Sequence, residues 1–311
     1  MSILLPINQT KLYGLEKYFT ELVKFYKNQK FPNKILLSGQ KGIGKSTLAF
    51  HFINYVLTIG EQASYDVENF QINTESSEFK TINNQSNTNL ITIDVNEDKK
   101  SIDIQQIRDL IINLNKSSFN QKPRFVLIDN IELLNTNSIN ALLKVLEEPN
   151  ENINFILIHN NKKILPTLLS RCINFKINLS NQEYLKISNQ LLNDDINNLI
   201  SNELINYFFT PGEIYHLVQF SLENKYDLSN IGLRNFLKIL IKDAHYKKNN
   251  FINNMMYSLM EFYFRKSNQS FSKLLNEKYS YFIKRISDTK TYNLDKESLF
   301  IEFNEEILDA Y

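Results

Sequence analysis

Cysteine is nearly missing: Cys172 is the single thiol in 311 residues. One thiol forms no internal disulfide, and without a cysteine cluster there is no structural zinc of the four-thiolate kind. That usage fits a reducing cytoplasm. Tryptophan is absent, and the abundance of Asn, Ile and Lys beside that absence reads as the bias of an AT-rich genome, without functional content. Neither sign of charge dominates, with 35 Lys and Arg against 34 Asp and Glu, a net of +1. A protein holding nucleic acid by bulk charge would be more basic, so any such contact is local or shared with partners. No apolar run reaches the roughly 18 residues of a membrane span. The opening Met1-Ser2-Ile3-Leu4-Leu5-Pro6 is interrupted too soon for a signal peptide. A cytoplasmic chain of two or three domains is expected.

What is present is an alternation. Lys34-Ile35-Leu36-Leu37, Leu90-Ile91-Thr92-Ile93, Phe125-Val126-Leu127-Ile128 and Phe155-Ile156-Leu157-Ile158 are short runs, apolar on consecutive positions. Such runs read as parallel strands buried on both faces. Ile173-Asn174-Phe175-Lys176-Ile177 is a fifth candidate. Between them lie helical patterns. Ile104, Ile107, Ile111 and Leu114 share one face behind Ser101 or Asp103 as N-cap, and Ile139, Leu142, Leu143 and Leu146 share another that Pro149 ends. Strand and helix in repetition predict an α/β domain with a parallel sheet in three layers. Gly60 to Thr88 is polar and without period, which predicts a long surface loop or irregular insertion. Past about Leu179 the pattern turns helical, with aromatic residues at Tyr207, Phe208, Phe236, Tyr257, Phe262 and Phe282. Thr210-Pro211-Gly212 reads as a turn before a new helix.

The sharpest motif is Gly39-Gln40-Lys41-Gly42-Ile43-Gly44-Lys45-Ser46-Thr47, which satisfies G-x-x-x-x-G-K-[ST] between a strand and a helix. Glycines let the backbone turn so that successive N–H groups face phosphate oxygens, and the helix N-terminus adds positive potential. Gly39, Gly42, Gly44, Lys45, Ser46 and Thr47 are thus candidate ATP-binding residues, with Lys45 on the β- and γ-phosphates and Ser46 on Mg²⁺. Phe125-Val126-Leu127-Ile128-Asp129 ends a strand on an acid, and Asp129 is the second candidate Mg²⁺ residue. Asn130 follows it, and an amide is no general base. Glu132 reads as a solvated residue at the start of the following helix. Cys172, with no histidine in its motif, reads as a small packing residue.

Two further stretches carry a resemblance. Ser138-Ile139-Asn140-Ala141-Leu142-Leu143-Lys144-Val145-Leu146-Glu147-Glu148-Pro149 is similar to the NALLKxLEEP helix of AAA+ clamp loaders, and Leu165-Pro166-Thr167-Leu168-Leu169-Ser170-Arg171-Cys172 to their SRC motif. Ser101 to Arg108 resembles the segment that leads into that family's second helix. With the phosphate loop, these motifs stand in the family's order and spacing over about the first 180 residues. The chain thus resembles clamp-loader subunits of bacterial DNA polymerase III. The resemblance implies an AAA+ domain over residues 1–178, a small helical lid over 179–226 and an all-α collar over 227–311. It implies that Arg171 is an arginine finger for a neighbouring subunit's nucleotide and that Asn160 senses the γ-phosphate. It implies gamma/tau and delta subunits as partners, with the sliding clamp and primer–template DNA reached through the complex. Lys162-Lys163 or Lys99-Lys100 are candidate DNA contacts, though a charge pair is usually a solvated face.

The departures narrow the resemblance. Asn130 replaces the acid that an active AAA+ site carries there, and Glu213 stands where an arginine would touch the γ-phosphate. Residues 60–89 hold no cysteine, where motor and many delta-prime chains have a zinc module. This combination resembles the stator, or delta-prime, branch, with weak hydrolysis of its own. An ATP-hydrolysing motor and a non-hydrolysing scaffold are the alternatives.

Overall fold

In the computed structural model, residues 5–96, 99–116, 120–147, 152–161, 164–207, 209–267, 273–292 and 294–310 are described. The expected helix stop at Pro149, the Lys162-Lys163 pair and Phe208 lie outside them. The chain divides into one unit of residues 1–191 with 210–212 and a second of residues 192–209 with 213–311.

Consecutive apolar residues form strands in the first unit because both faces of each central strand are covered. The strands are β1 (Lys34–Ser38), β2 (Leu90–Ile93), β3 (Arg124–Ile128), β4 (Ile153–His159) and β5 (Ile173–Lys176). All pair in parallel, in the order β2-β3-β4-β1-β5. The helices are α1 (Glu16–Lys27), α2 (Lys45–Leu57), α3 (Ser77–Asn83), α4 (Ile104–Leu114), α5 (Thr136–Glu147), α6 (Pro166–Leu169) and α7 (Asn181–Leu192). Side chains alternate across a strand. Ile35, Leu37, Phe125, Leu127, Ile156 and Ile158 therefore meet Phe19 of α1 and Leu48 and Phe52 of α2. Leu36, Val126, Ile128, Phe155 and Leu157 meet Ile107 of α4 and Leu142 and Leu146 of α5 on the other face. The expected three layers are present. Phe52 has no exposed surface and stacks on Phe31 at 4.8 Å, a burial worth about 2–3 kcal/mol. Asp103 is the N-cap of α4 in a full capping box with Gln106, and it also pairs with Lys99.

The polar stretch from Gly60 to Thr88 departs from its reading as a surface loop. It contains α3, and Tyr65, Ile72, Phe79 and Ile82 are buried in the core shared with α1 and α2. Lys122 fastens it, reaching Leu57 O at 2.8 Å, Glu61 at 2.6 Å and Glu78 at 2.7 Å. Four widely spaced apolar residues suffice, because the stretch lays single side chains onto an existing core.

The second unit is helical. It holds α8 (Ile196–Leu199), α9 (Asn202–Ile205), most of α10 (Pro211–Asn224), α11 (Leu233–Lys242), α12 (His245–Lys248), α13 (Asn250–Ser267), α14 (Lys273–Tyr292) and α15 (Lys296–Phe303). One apolar cluster runs through it from Ile196 to Leu308. Phe264, Phe282 and Phe303 form its aromatic centre, with ring centroids 5.5 to 5.9 Å apart. Glu203 accepts from the first N–H of α11 at 2.9 Å and pairs with Lys266 at 2.6 Å.

His51 of α2 ties that helix to its surroundings. Its Nε2 lies 3.0 Å from the Gln9 carbonyl and its Nδ1 2.8 Å from the Tyr65 hydroxyl. A carbonyl only accepts, so Nε2 carries the proton and Nδ1 accepts from Tyr65. Burial pushes the imidazole down from 6.5 to about 4. Unfolded chains take up this proton below pH 6.5 while the folded chain resists until about 4, so stability is lost as pH falls through that window. His51→Gln is expected to remove about 3 kcal/mol of that acid loss, read from urea unfolding at each pH. Equal acid slopes for both proteins would exclude His51 as the source.

Candidate functional site

The loop between β1 and α2 is built by its glycines. Gly42 and Gly44 take φ of 84° and 89°, where a side chain is strained. A Cβ on Gly39 would stand 2.6 Å from the Ile177 carbonyl oxygen, so the loop passes too close to the chain after β5 for any side chain. Leu48 N closes the first turn of α2 on Gly44 O at 2.9 Å. Helix geometry therefore leaves the N–H groups of Lys45, Ser46 and Thr47 without an intrahelical carbonyl. That leaves the start of α2 electropositive, as the motif requires. Pro211 opens α10, and the next N–H, of Gly212, donates to Gly42 O at 2.9 Å.

Lys45 is buried, with 3% of its surface exposed. Its ammonium donates to the carbonyls of Gly39, at 3.0 Å, and Gln40. Burial pushes its pKa down to about 8, against the opposing charges of Asp129 and Glu132. The ammonium is therefore still charged at pH 7 but poorly hydrated, which strengthens its attraction for a phosphate. Thr47 is half-buried in the first turn.

The structure brings together the two residues predicted to hold Mg²⁺. Ser46 Oγ donates to Asp129 Oδ2. Burial, and then Asp94 nearby, raise the Asp129 carboxyl, against the bonds from Ser46 and Asn130. A divalent cation between Ser46 and Asp129 would supply the missing positive charge and polarise a phosphate.

A polar relay continues from Asp129. Asn130 is left-handed at φ 52°, and its N–H donates back to Asp129 Oδ1 at 2.7 Å. Its Nδ2 donates to Asp94 at the end of β2, at 2.8 Å. Asn160, just past β4, donates from Nδ2 to Asn130 Oδ1 at 2.8 Å and to Glu132 Oε1 at 3.0 Å. Asp94 and Glu132 are the residues that the sequence reading missed. Glu132 is half-buried and turned to Asn160, not solvated at a helix start. The left-handed Asn130 and the short 3-10 turn Ile131–Leu133 redirect it, and α5 begins only at Thr136. Asp94 follows a strand end as Asp129 does, which was the available signal.

Arg171 is joined to none of these residues. It forms an ion pair with Glu147 at the end of α5 and donates to Thr167 O at 2.7 Å. The two family motifs thus meet in one contact. The Glu147 side chain is 55% exposed, so the pair contributes at most about 1 kcal/mol and releases readily. Cys172 is half-buried, and burial pushes its thiol up to about 11, which disfavours the thiolate.

A family model described as DNA polymerase III, delta subunit, matches residues 14–181. A DNA polymerase III subunit tau/gamma from Haemophilus influenzae is 31% identical over 176 residues, 55% of this chain and 24% of that protein. A DNA polymerase III subunit delta' from Buchnera aphidicola subsp. Schizaphis graminum is 28% identical over 192 residues, 60% of this chain and 56% of that protein. The chain therefore spans 24% and 56% of the length of these relatives. A solved structure of a DNA polymerase III gamma subunit-related protein from Thermotoga maritima aligns with 14% identity, covering 93% of this chain and 97% of that one, at a TM-score of 0.49.

Lys45→Met keeps the length of the side chain and removes a buried charge. It is expected to raise stability by about 1–2 kcal/mol in urea at pH 7 while abolishing binding of a fluorescent Mg²⁺ nucleotide. A loss of stability would mean that the bonds to the loop carbonyls outweigh the cost of burying the ammonium.

Proposed function

This chain belongs to the family described as DNA polymerase III, delta subunit, and from that premise we propose that it is the delta-prime, or stator, subunit of a clamp loader. Its role is to help ATP-driven loading of the sliding clamp onto primed DNA, in complex with gamma/tau and delta subunits. The observation that carries this reading is the asymmetry of its charged groups. The phosphate loop is complete, but the strand-end acid Asp129 is followed by an amide in place of a base. Arg171 meanwhile is bound, among the described residues, to the exposed Thr167 and Glu147 of its own chain.

An arginine finger needs a guanidinium that is always charged and grips two phosphate oxygens. Arg171 is held for that task by Glu147, through a pair weak enough to exchange for a phosphate. Its target is the nucleotide of a motor neighbour. ATP and Mg²⁺ bind this chain through Lys45, Ser46 and Asp129, and its own hydrolysis is slow because the Asn130 amide takes no proton from an attacking water. We assign residues 179–226 to the lid and 227–311 to a collar that joins sister subunits. The apolar cluster from Ile196 to Leu308 is shared by the lid and the collar, and we assign the collar's outer helix faces to assembly.

A second reading, the gamma/tau-type motor, is favoured by the 31% identity to a tau/gamma protein. Steady ATP hydrolysis by the purified chain separates the two readings.

Arg171→Ala tests the finger in a reconstituted loader. DNA-stimulated ATP turnover should fall at least about tenfold, a conservative figure beside the 10³–10⁵ known for arginine fingers elsewhere. Assembly, followed by size exclusion, should be retained. Turnover equal to that of the parent complex would remove the finger assignment.

A further inference from the structure

Asn160 stands where the chain passes the phosphate loop. The preceding His159 accepts from Gly39 N at 3.2 Å and pairs in register with Ser38. Its side chain nevertheless has no donor to offer. Both Nδ2 hydrogens are engaged, one on Asn130 Oδ1 at 2.8 Å and one on Glu132 Oε1 at 3.0 Å. Its backbone N–H donates to Glu132 Oε2 at 3.3 Å. Glu132 thus grips Asn160 by both carboxylate oxygens, and the Oδ1 that remains on the amide repels phosphate. Asn130 gives its backbone N–H to Asp129 and one Nδ2 hydrogen to Asp94.

A terminal phosphate arriving here would displace a charge-assisted bond and approach the carboxylates of Asp94, Asp129 and Glu132. The inner phosphates face no such barrier. Their partners are the loop N–H groups, the start of α2 and Lys45, whose ammonium donates to the Gly39 and Gln40 carbonyls.

We propose that Glu132, by occupying Asn160, removes recognition of the γ-phosphate, so that this site takes a Mg²⁺ nucleoside diphosphate at least as tightly as the triphosphate. The inference rests on the reading of the loop as a nucleotide site and specifies its ligand. Such a site keeps its nucleotide whatever the neighbours hydrolyse, which is what a fixed subunit requires.

Calorimetric titration of the full chain with MgADP and with MgATP tests it, on the parent protein and on Glu132→Ala, Glu132→Gln and Lys45→Met. The parent should bind MgADP as tightly as MgATP or more so. In Glu132→Ala the preference should move toward MgATP by about tenfold, the worth of one recovered hydrogen bond to a charged group, with MgADP affinity nearly unchanged. Glu132→Gln, which preserves shape and one acceptor, should show a smaller shift of the same sign. It also guards against a folding defect in the alanine variant. A parent that binds MgATP at least about tenfold tighter overturns the proposal, as does an unchanged ratio in both Glu132 variants. A parent that takes neither nucleotide, or one whose binding survives in Lys45→Met, overturns the nucleotide-site reading itself and the proposal with it.

Discussion

The parallel register of three strands is the constraint on which the site depends. β1 runs beside β4, with Ser38 opposite His159, and β4 beside β3, with Leu157 opposite Ile128. The strands point the same way, so their C-terminal ends lie along one edge of the sheet. The residues just beyond those ends are Gly39, Asp129 and Asn160, and Asp94 follows β2 in the same manner. Each is polar or flexible because the buried ladder has ended and the chain must turn. A slip of one residue would turn each strand's apolar side chains to the opposite layer, and both cores resist that. Packing in the layers thus fixes the site's geometry to a precision that loops alone would lack.

Much of this was legible beforehand, for physical reasons that differ between elements. Central strands announce themselves because burial on both faces leaves no polar position, as in Phe125 to Ile128. The edge strand β5 reads as Ile173-Asn174-Phe175-Lys176, and exposure follows that alternation only in part: Asn174 and Lys176 are exposed and Phe175 is half-buried, but Ile173 is exposed too. Only seven glycines occur in the chain, and three fall between Gly39 and Gly44. That clustering marks a place where backbone shape, not side-chain chemistry, is required. The insertion from Gly60 to Thr88 hid its contribution, since Tyr65, Ile72 and Phe79 stand seven apart among mostly polar residues, and only Phe79 and Ile82 fall on a helix, the short α3. Glu132 was hidden differently. A residue two positions past a strand is expected to lead into a helix, and only the left-handed turn at Asn130 sends its carboxylate back to Asn160.

The same chain holds its charges in two unlike environments. Lys45 is buried and partly dehydrated, held by two loop carbonyls with Asp129 and Glu132 acting on it, so its field is strong and local. Arg171 is held at the surface by one exposed glutamate. The first arrangement suits a ligand that stays, because desolvation has been met in folding. The second suits a contact made and broken, because little binding energy is lost on release.

This contrast bears on why the acid after Asp129 is dispensable. With a base at that position the site would need a donor free to report the γ-phosphate, since hydrolysis without recognition would be uncontrolled. Here Asn130 instead passes the network on, taking the bond from Asn160 and giving one to Asp94. Glu132 closes it from the other side. An amide at that point gives and accepts at once, which a carboxylate does not. Asn130 thus makes the end of the site a relay in which Asp94, Asn130, Asn160 and Glu132 are joined by hydrogen bonds.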